Sequence, residues 1–210
     1  MKNIFVVTHT QSVHHVENKV GGWYDTELTP KGRADAEATA AKLTAMIGSA
    51  PVEIFSSDLL RASQTAAIIA EHLKHPFEST DDLREISYGS AGGMPQEWLD
   101  ARQIPAPHHN RMDHRGGIAD GETRREVAER VYSSVNTIIS RPCPAQVIVT
   151  HGFALTFVIA AWIKMPIESV GHVSFPARSG SITHLKEDDY WQNRAVVSLA
   201  DVSHLTDDDG

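Results

Sequence analysis

Two histidines follow two short apolar runs that lie far apart in the chain. His9 comes directly after residues 4–8, and His151 comes directly after residues 147–150. Both runs are rich in β-branched residues and end in a polar one, which predicts buried strands. If these strands are neighbours, both imidazoles lie at one edge of a sheet, where open α/β sheets bind their ligands.

An arginine and a carboxylate follow two other predicted strands. Arg61 lies in the first turn of a helix after the strand 53–56, and Glu85 follows a short strand at 77–79. The guanidinium can reach the histidine edge, where a helix N-terminus also favours an anion. This set suits phosphoryl transfer through a phosphohistidine. A neutral imidazole attacks phosphorus, cations neutralise the oxygens, and a carboxylic acid protonates the departing alkoxide.

Strand and helix signals alternate along the chain and predict the scaffold that positions these residues. A polar loop from 10 to 29 ends at Thr29, the expected N-cap of a helix that Pro30 opens. Ser57 or Asp58 is expected to cap the next helix. The predicted fold is a three-layer α/β/α domain with a mostly parallel central sheet of about six strands and an antiparallel edge strand. The predicted long helices cover 31–47, 59–73, 123–139 and 153–163, and the closing strands cover 181–185 and 194–199.

The alternating pattern breaks down between about 86 and 121, a stretch rich in glycine, proline and histidine. It predicts an excursion or lid over the sheet edge, with a short helix near 96–102, within a single domain of residues 1–210. Tyr88 and Trp98 favour an ordered excursion. The acidic end at 207–209 is expected to fray.

Composition restricts the partners of this chain. A net charge of −8 on 210 residues argues against nucleic-acid binding, so an anionic substrate needs a local basic pocket. The single cysteine, Cys143, excludes an intrachain disulfide and a cysteine zinc site. No leader or apolar run of membrane length is seen, so we expect a cytoplasmic protein without membrane partners. The adjacent His108 and His109 lack a partner at helical spacing, so we expect no metal and no cofactor.

Five segments in order resemble the histidine phosphatase superfamily, in its phosphoglycerate mutase-like branch. They are residues 22–33, 56–66, 83–89, 120–123 and 149–152. The resemblance implies that His9 is the phosphorylated nucleophile and that Arg61 and His151 hold the phosphoryl group. It implies that Glu85 is the general acid. It also implies that the helix after His151 directs backbone N–H groups at the phosphate and that Gly152 permits close approach.

The chain departs from the family pattern around the nucleophile. Thr8 and Thr10 stand where the family has arginine and glycine, so a charge-assisted hydrogen bond worth about 1.5–3 kcal/mol is missing. His15 and Gly21 replace a frequent asparagine and glutamine. The predicted substrate-binding residues are Thr8, Thr10, His15, Gly21, Gly22 and Gly152. The missing charge has several candidate sources, namely protonated His14 or His15, Arg111, Arg115 and Arg178.

The expected function is hydrolysis of a small phosphomonoester, with water as the acceptor and with activity weakened by the missing arginine. Mutases of the family carry an extra basic, tyrosine-bearing segment after the general acid, which the excursion lacks. Two alternatives stay open: a catalytically silent relative that binds a phosphorylated ligand, and phosphoryl transfer of the mutase type. The predicted partner is a small phosphorylated substrate or inorganic phosphate. Substrate identity and oligomeric state stay open.

Overall fold

Six strands and six α-helices are found within residues 1–206, the part of the chain that the computed structural model describes. The tail predicted to fray, at 207–209, lies outside these residues. The strands are β1 (Lys2–Thr8), β2 (Val52–Ser57), β3 (Phe77–Thr80), β4 (Ala145–Thr150), β5 (Ile182–Glu187) and β6 (Arg194–Asp201). The helices are α1 (Val13–Val16), α2 (Pro30–Ile47), α3 (Leu60–Leu73), α4 (Gln96–Asp100), α5 (Arg124–Ser140) and α6 (Gly152–Trp162).

The strands form one mixed sheet in the order β3-β2-β4-β1-β5-β6. The first four of these are parallel, whereas β5 and β6 run antiparallel to their neighbours. β1 and β4 are adjacent, and Thr8 pairs with Thr150 at their carboxyl ends. The predicted fold class is therefore confirmed, with an antiparallel edge of two strands. The two histidine-bearing strands lie side by side.

Alternate residues of the buried strands pack against helices on opposite faces of the sheet. Val6 and Ile148 contact the layer that contains α5 and α6. Val7 and Val149 contact the layer that contains α2 and α3. Burial on both faces explains why these strands are continuously apolar. No helix within residues 1–206 combines the length and apolar composition needed to cross a bilayer.

Of the two helix caps predicted from the sequence, one is confirmed and one is wrong. The Thr29 hydroxyl accepts from Gly32 N–H at 2.9 Å, as predicted. The predicted cap of α3 by Ser57 or Asp58 is wrong, because the helix begins at Leu60. Its first N–H donates to the Asp25 carboxylate at 2.7 Å. Ser57 lies instead within hydrogen-bond distance of His151, and Asp58 accepts two hydrogen bonds from Arg84. Thr123 and Glu126 form a capping box at the start of α5.

The excursion at 86–121 has a small apolar core of its own. Val20, Ala91, Leu99 and Ile118 are buried together, and Tyr88 and Trp98 pack against them as partly buried side chains. The predicted short helix is α4. The loop from 10 to 29 contributes Val20 to this cluster, and it also contains α1, which sequence patterns did not predict. The loop and the excursion therefore meet over the same sheet edge.

Arg130 on α5 fixes the backbone that carries Glu85. Its guanidinium donates to the carbonyl oxygens of Asp82, Arg84 and Glu85 at 2.9, 2.7 and 2.8 Å. It also pairs with Glu122 at 2.9 Å, and both side chains of this pair are about 15% exposed. One partly buried arginine thus positions the connection from β3 to the sheet edge that carries His9 and His151.

We expect Arg130→Met to lower the free energy of unfolding by about 3 kcal/mol, because Glu122 and three carbonyl groups lose their donor. Urea unfolding followed by tryptophan fluorescence measures this change. Arg125→Met is the matched control on the same helix, because Arg125 pairs with two largely exposed acids, Asp113 and Glu168. The control should change stability by less than about 1 kcal/mol. Equal losses in the two variants would contradict the anchoring role of Arg130.

Candidate active site

A cavity of about 270 Å³ opens at the carboxyl edge of β1 and β4. Its walls come from the end of β1, the loop from 10 to 29, the start of α3, the segment around Glu85, the start of α6 and the loop before β5. We call this the catalytic cavity. It is lined by Thr8, His9, His14, His15, Gly21, Gly22, Arg61, Glu85, Tyr88, Gly152, Ala177, Arg178 and Ser179.

His9 is held with one ring nitrogen ready to act as a nucleophile. Its Nδ1 lies 2.8 Å from the Thr10 carbonyl oxygen, which only accepts, so Nδ1 carries the proton and Nε2 a lone pair. The Arg61 Nε–H donates to this Nε2 at 3.2 Å. Burial and then the charge of Arg61 lower the pKa of His9 well below 6.5. The imidazole is therefore neutral and nucleophilic at neutral pH.

Arg61 lies buried at the start of α3, with 1% of its surface exposed. Besides His9, it donates to the carbonyl oxygens of Tyr24 and Gly22 at 3.1 and 2.7 Å. Gly22 adopts a positive φ of 56°, and a Cβ there would lie 2.8 Å from the Ile86 carbonyl oxygen. Glycine is therefore required at this turn, which presents its carbonyl group to the guanidinium. Arg61 has no carboxylate partner among residues 1–206 and keeps its charge for an anion.

His151 supports the same edge from the neighbouring strand. Its ring lies edge-on to His9, with ring centroids 5.0 Å apart, and its Nε2 lies 2.8 Å from the Ser57 hydroxyl. Burial and then Arg61 lower the pKa of His151 well below 6.5, so this imidazole is also neutral. The Nδ1 of His151 and the Thr8 hydroxyl are buried and have no hydrogen-bond partner among residues 1–206. A ligand with several acceptor or donor atoms would satisfy such groups.

The Glu85 carboxylate lies at the N-terminus of α6. It accepts hydrogen bonds from the N–H groups of Phe153 and Ala154 at 2.9 and 3.1 Å, and from its neighbour Ile86. Burial outweighs these hydrogen bonds and raises the pKa of Glu85 above 4.5. The resemblance implied that the N–H groups of this helix are directed at the phosphate. The structure differs, because Glu85 takes two of them and Gly152 lines the cavity beside it.

Three imidazoles line the catalytic cavity, and all of them are neutral. His15 stacks on His9 with centroids 5.4 Å apart and an interplanar angle of 11°. Burial lowers the pKa of His15, and lowers the pKa of His14 to about 3, with the neighbouring His15 and Arg61 adding to the effect on His14. His14 and His15 therefore do not supply the positive charge that an arginine at position 8 would provide.

His14 explains why glycine stands at position 21. Its Nδ1 lies 3.0 Å from both the Ser12 and the Thr26 hydroxyl oxygens, which fix the ring. A Cβ at Gly21 would lie 2.7 Å from His14 Nε2. The His14 imidazole therefore occupies the space that a side chain at position 21 would need, so His14 and Gly21 complement each other.

Of the other predicted residues, some lie away from the cavity. Thr10 is fully buried near Thr65, and only its carbonyl group contacts His9. Arg111 donates to the Gly171 carbonyl oxygen, and Arg115 pairs with Glu126, so neither lines the catalytic cavity. Arg178 does line it.

Sequence patterns missed four residues at this edge: Ser57, Tyr88, Ala177 and Ser179. Ser57 was interpreted as a helix cap and Tyr88 only as a sign of order. Burial raises the pKa of Tyr88 to about 12, so its phenol stays neutral. Ala177 and Ser179 reach the cavity from a turn more than 160 residues after His9, and no local pattern signals that approach. Within residues 1–206, no three histidine, cysteine or acidic side chains are grouped closely enough to hold a metal ion.

We expect Gly21→Ala to destabilise the fold by about 1–3 kcal/mol, because the new methyl group meets the fixed His14 ring. Thermal or urea unfolding measures the loss. In the background of His14→Ala the same substitution should cost much less, which a double-mutant cycle detects. Gly92→Ala is the control, since its Cβ would have no neighbour nearer than 3.4 Å. Additive losses at positions 14 and 21 would rule out the proposed complementarity.

Comparisons with known proteins agree with this geometry. A family model described as the histidine phosphatase superfamily (branch 1) matches residues 4–198. A protein named probable phosphoglycerate mutase GpmB from Salmonella arizonae is 27% identical over 216 residues, covering 98% of this chain and 95% of that protein. A glucosyl-3-phosphoglycerate phosphatase from Mycolicibacterium vanbaalenii is 28% identical, covering 80% of this chain and 77% of that protein.

Solved structures give the same result. YhfR of Bacillus stearothermophilus superposes with a TM-score of 0.78 at 26% identity, covering 97% of this chain and 99% of that one. The mycobacterial glucosyl-3-phosphoglycerate phosphatase in complex with VO3 superposes with a TM-score of 0.77 at 26% identity, covering 95% and 99%. Because the family model spans nearly the whole chain, the resemblance found in its motifs is confirmed: the chain belongs to the histidine phosphatase superfamily, branch 1.

Proposed function

We propose that this histidine phosphatase hydrolyses small phosphomonoesters in two steps through a phosphohistidine at His9. One observation carries the proposal. The unprotonated Nε2 of a neutral His9 lies on the wall of a polar cavity, 3.2 Å from the Nε of a buried Arg61 that donates hydrogen bonds to no carboxylate within residues 1–206. A nucleophile and a cation at this distance suit attack on a phosphoryl group.

In the first step His9 Nε2 attacks phosphorus, and the bond from phosphorus to the ester oxygen breaks. Glu85 gives its proton to that oxygen, so an alcohol leaves and Glu85 becomes a carboxylate. Arg61 neutralises the phosphoryl oxygens. Its hydrogen bond to His9 breaks as the lone pair moves to phosphorus, and the freed N–H is then available to the transferred group. Thr8 Oγ1 and His151 Nδ1, two of the buried side-chain atoms that have no hydrogen-bond partner within residues 1–206, are further contacts for the phosphoryl oxygens.

In the second step a water molecule attacks the phosphohistidine. The Glu85 carboxylate takes a proton from this water, the phosphorus–nitrogen bond breaks, and the electron pair returns to His9 Nε2. Inorganic phosphate leaves, and both residues regain their starting protonation states. His9 and Glu85 line the same cavity, and the two steps balance with these residues and water alone.

Three observations favour water as the acceptor over a second metabolite. The catalytic cavity is small, at about 270 Å³. Two arginines of the excursion that could hold a second phosphorylated molecule, Arg111 and Arg115, are engaged elsewhere. Relatives named as phosphatases cover most of the chain. Phosphoryl transfer of the mutase type is the second candidate, because the GpmB protein of Salmonella arizonae is named a probable phosphoglycerate mutase.

The proposal predicts that the purified protein releases inorganic phosphate from p-nitrophenyl phosphate and that His9→Ala reduces the rate to background. Quenching the reaction in alkali should trap a phosphohistidine on the wild-type protein, visible by ³¹P NMR or peptide mass. His75→Ala, at an exposed histidine far from the cavity, is the control and should match the wild type.

A wild-type rate equal to that of His9→Ala would reject the enzyme proposal and leave a silent phosphate-binding relative. With phosphoglycerate as substrate, the appearance of its positional isomer without inorganic phosphate would instead favour the mutase.

Glu85→Gln tests the general acid. On an alkyl phosphate the variant should lose about 10²–10⁴-fold in kcat, whereas on p-nitrophenyl phosphate, whose leaving group needs little protonation, it should lose no more than about 10-fold. The raised pKa of Glu85 keeps the acid form present above pH 4.5, and the lowered pKa of His9 keeps the base form present below pH 6.5. The wild-type rate should therefore fall as pH rises through the Glu85 pKa, and Glu85→Gln should lack this decline. Equal losses on both substrates would exclude the assignment.

A further inference from the structure

Arg178 is the second guanidinium on the wall of the catalytic cavity, and it reaches that wall from the loop before β5. Unlike Arg61, it is exposed, and its guanidinium has no hydrogen bond or ion pair with any residue in the range 1–206. Arg178 also borders a neighbouring surface cavity that His15 and Ser179 share with it. The side chain therefore stands at the mouth of the catalytic cavity with all five donors available.

The charges on the cavity wall leave a role for this arginine. His9, His14 and His15 contribute no positive charge at neutral pH, because burial lowers the pKa of each. Among residues 1–206, Arg61 is then the only other cationic side chain on that wall. A phosphomonoester brings about two negative charges at neutral pH. Arg61 alone leaves one of them uncompensated.

Arg61 also has few free donors. Three of its five N–H groups are directed at His9, Tyr24 and Gly22. Arg61 can therefore contact one side of a phosphoryl group, but most of its N–H groups already donate hydrogen bonds within the protein. Thr8 also lines this cavity, and its uncharged hydroxyl is buried and has no hydrogen-bond partner in the described part of the chain, residues 1–206.

The backbone beside Arg178 is fixed directly to the nucleophile strand. Gly180 N–H donates to the carbonyl oxygens of Thr8 and His9, and the Ser179 hydroxyl donates to His9 at 3.3 Å. Ser181 accepts from Thr8 N–H through its carbonyl oxygen at 3.1 Å. Gly180 has a positive φ of 73°, and a Cβ there would lie 3.2 Å from the Thr10 methyl group, so glycine permits this close approach. The backbone from which the Arg178 side chain extends is therefore fixed relative to His9.

We propose that Arg178 is a substrate-contacting residue that closes over the bound phosphoryl group and supplies the second positive charge opposite Arg61. The assignment rests on the proposed function and deepens it. In this arrangement Thr8 gives a hydroxyl contact at the base of the cavity, and Arg178 gives the charge from its mouth. The second cation near His9 then comes from the loop before β5, whereas the family has it at the position that Thr8 occupies here. A planar fork can bind two phosphoryl oxygens at once, which lysine cannot do.

Steady-state kinetics with p-nitrophenyl phosphate and inhibition by orthophosphate and vanadate test this role. Arg178→Gln should lower kcat/KM by about 10- to 100-fold, the value of one charge-assisted hydrogen bond, and should weaken both inhibitors by a similar factor. Arg178→Lys should lie between the two, because the charge remains but the fork is lost. Arg33→Gln is the control, since Arg33 is an exposed arginine away from the cavity, and it should match the wild type.

The double variant Thr8→Arg with Arg178→Gln separates lost charge from local damage. An arginine at position 8 places a guanidinium on the same wall, so it should recover part of the kcat/KM and part of the inhibitor affinity lost in Arg178→Gln. A structural defect in the loop would not be repaired from β1. If Arg178→Gln stays within twofold of the wild type in both kcat/KM and the two inhibition constants, the proposal is overturned.

Orthophosphate binding by calorimetry keeps the two proposals apart. If the wild type turns over no ester but binds orthophosphate, and Arg178→Gln binds it 10- to 100-fold more weakly, the function proposed above fails and the role of Arg178 in binding stands. If the wild type is active and Arg178→Gln binds orthophosphate equally well, the function stands and the role of Arg178 is rejected.

Discussion

The parallel pairing of β1 with β4 is the constraint on which the rest of the site depends. Thr8 pairs with Thr150, and the ladder continues one step further where His9 N–H donates to the Thr150 carbonyl oxygen at 2.9 Å. This register holds the rings of His9 and His151 in contact. A parallel sheet brings together residues that are 142 positions apart only because both strands are buried and their register is fixed. Helices, loops and excursion then add side chains around this pair.

The sequence predicted the parts of the molecule that follow from local chemistry. Strand runs ending in His9 and His151, the Thr29 cap and the shared sheet edge are all properties of short segments. The cap of α3 was mispredicted because Ser57 and Asp58 both have capping side chains. Their use by His151 and Arg84 depends on distant neighbours. The loop that carries Arg178 reaches the cavity through tertiary contacts. The sequence pattern therefore identified Arg178 as one of several candidate cations and could not select among them.

The electrostatic potential in the catalytic cavity depends on which groups contact Arg61. Arg61 is buried, yet its N–H groups are directed at one imidazole nitrogen and two carbonyl oxygens instead of an acid. A carboxylate beside it would cancel the charge that a phosphoryl group needs. Glu85 faces the same cavity, but burial favours its neutral form over the effect of three backbone donors. The same cavity therefore combines a buried guanidinium with a carboxyl group whose neutral form is favoured, as the proposed reaction requires.

The cluster of neutral imidazoles also couples folding to proton uptake. In the fold the pKa of His14 is about 3, whereas an unfolded chain binds the proton near pH 6.5. Between these values the unfolded state holds more protons, so the free energy of unfolding falls as pH falls, with no such loss above pH 6.5. At pH 5 His14 alone removes on the order of 2 kcal/mol. His9, His15 and His151 act in the same direction. Acidification therefore favours the protonated form of Glu85 and, over the same pH range, lowers the free energy of unfolding of the fold that holds it.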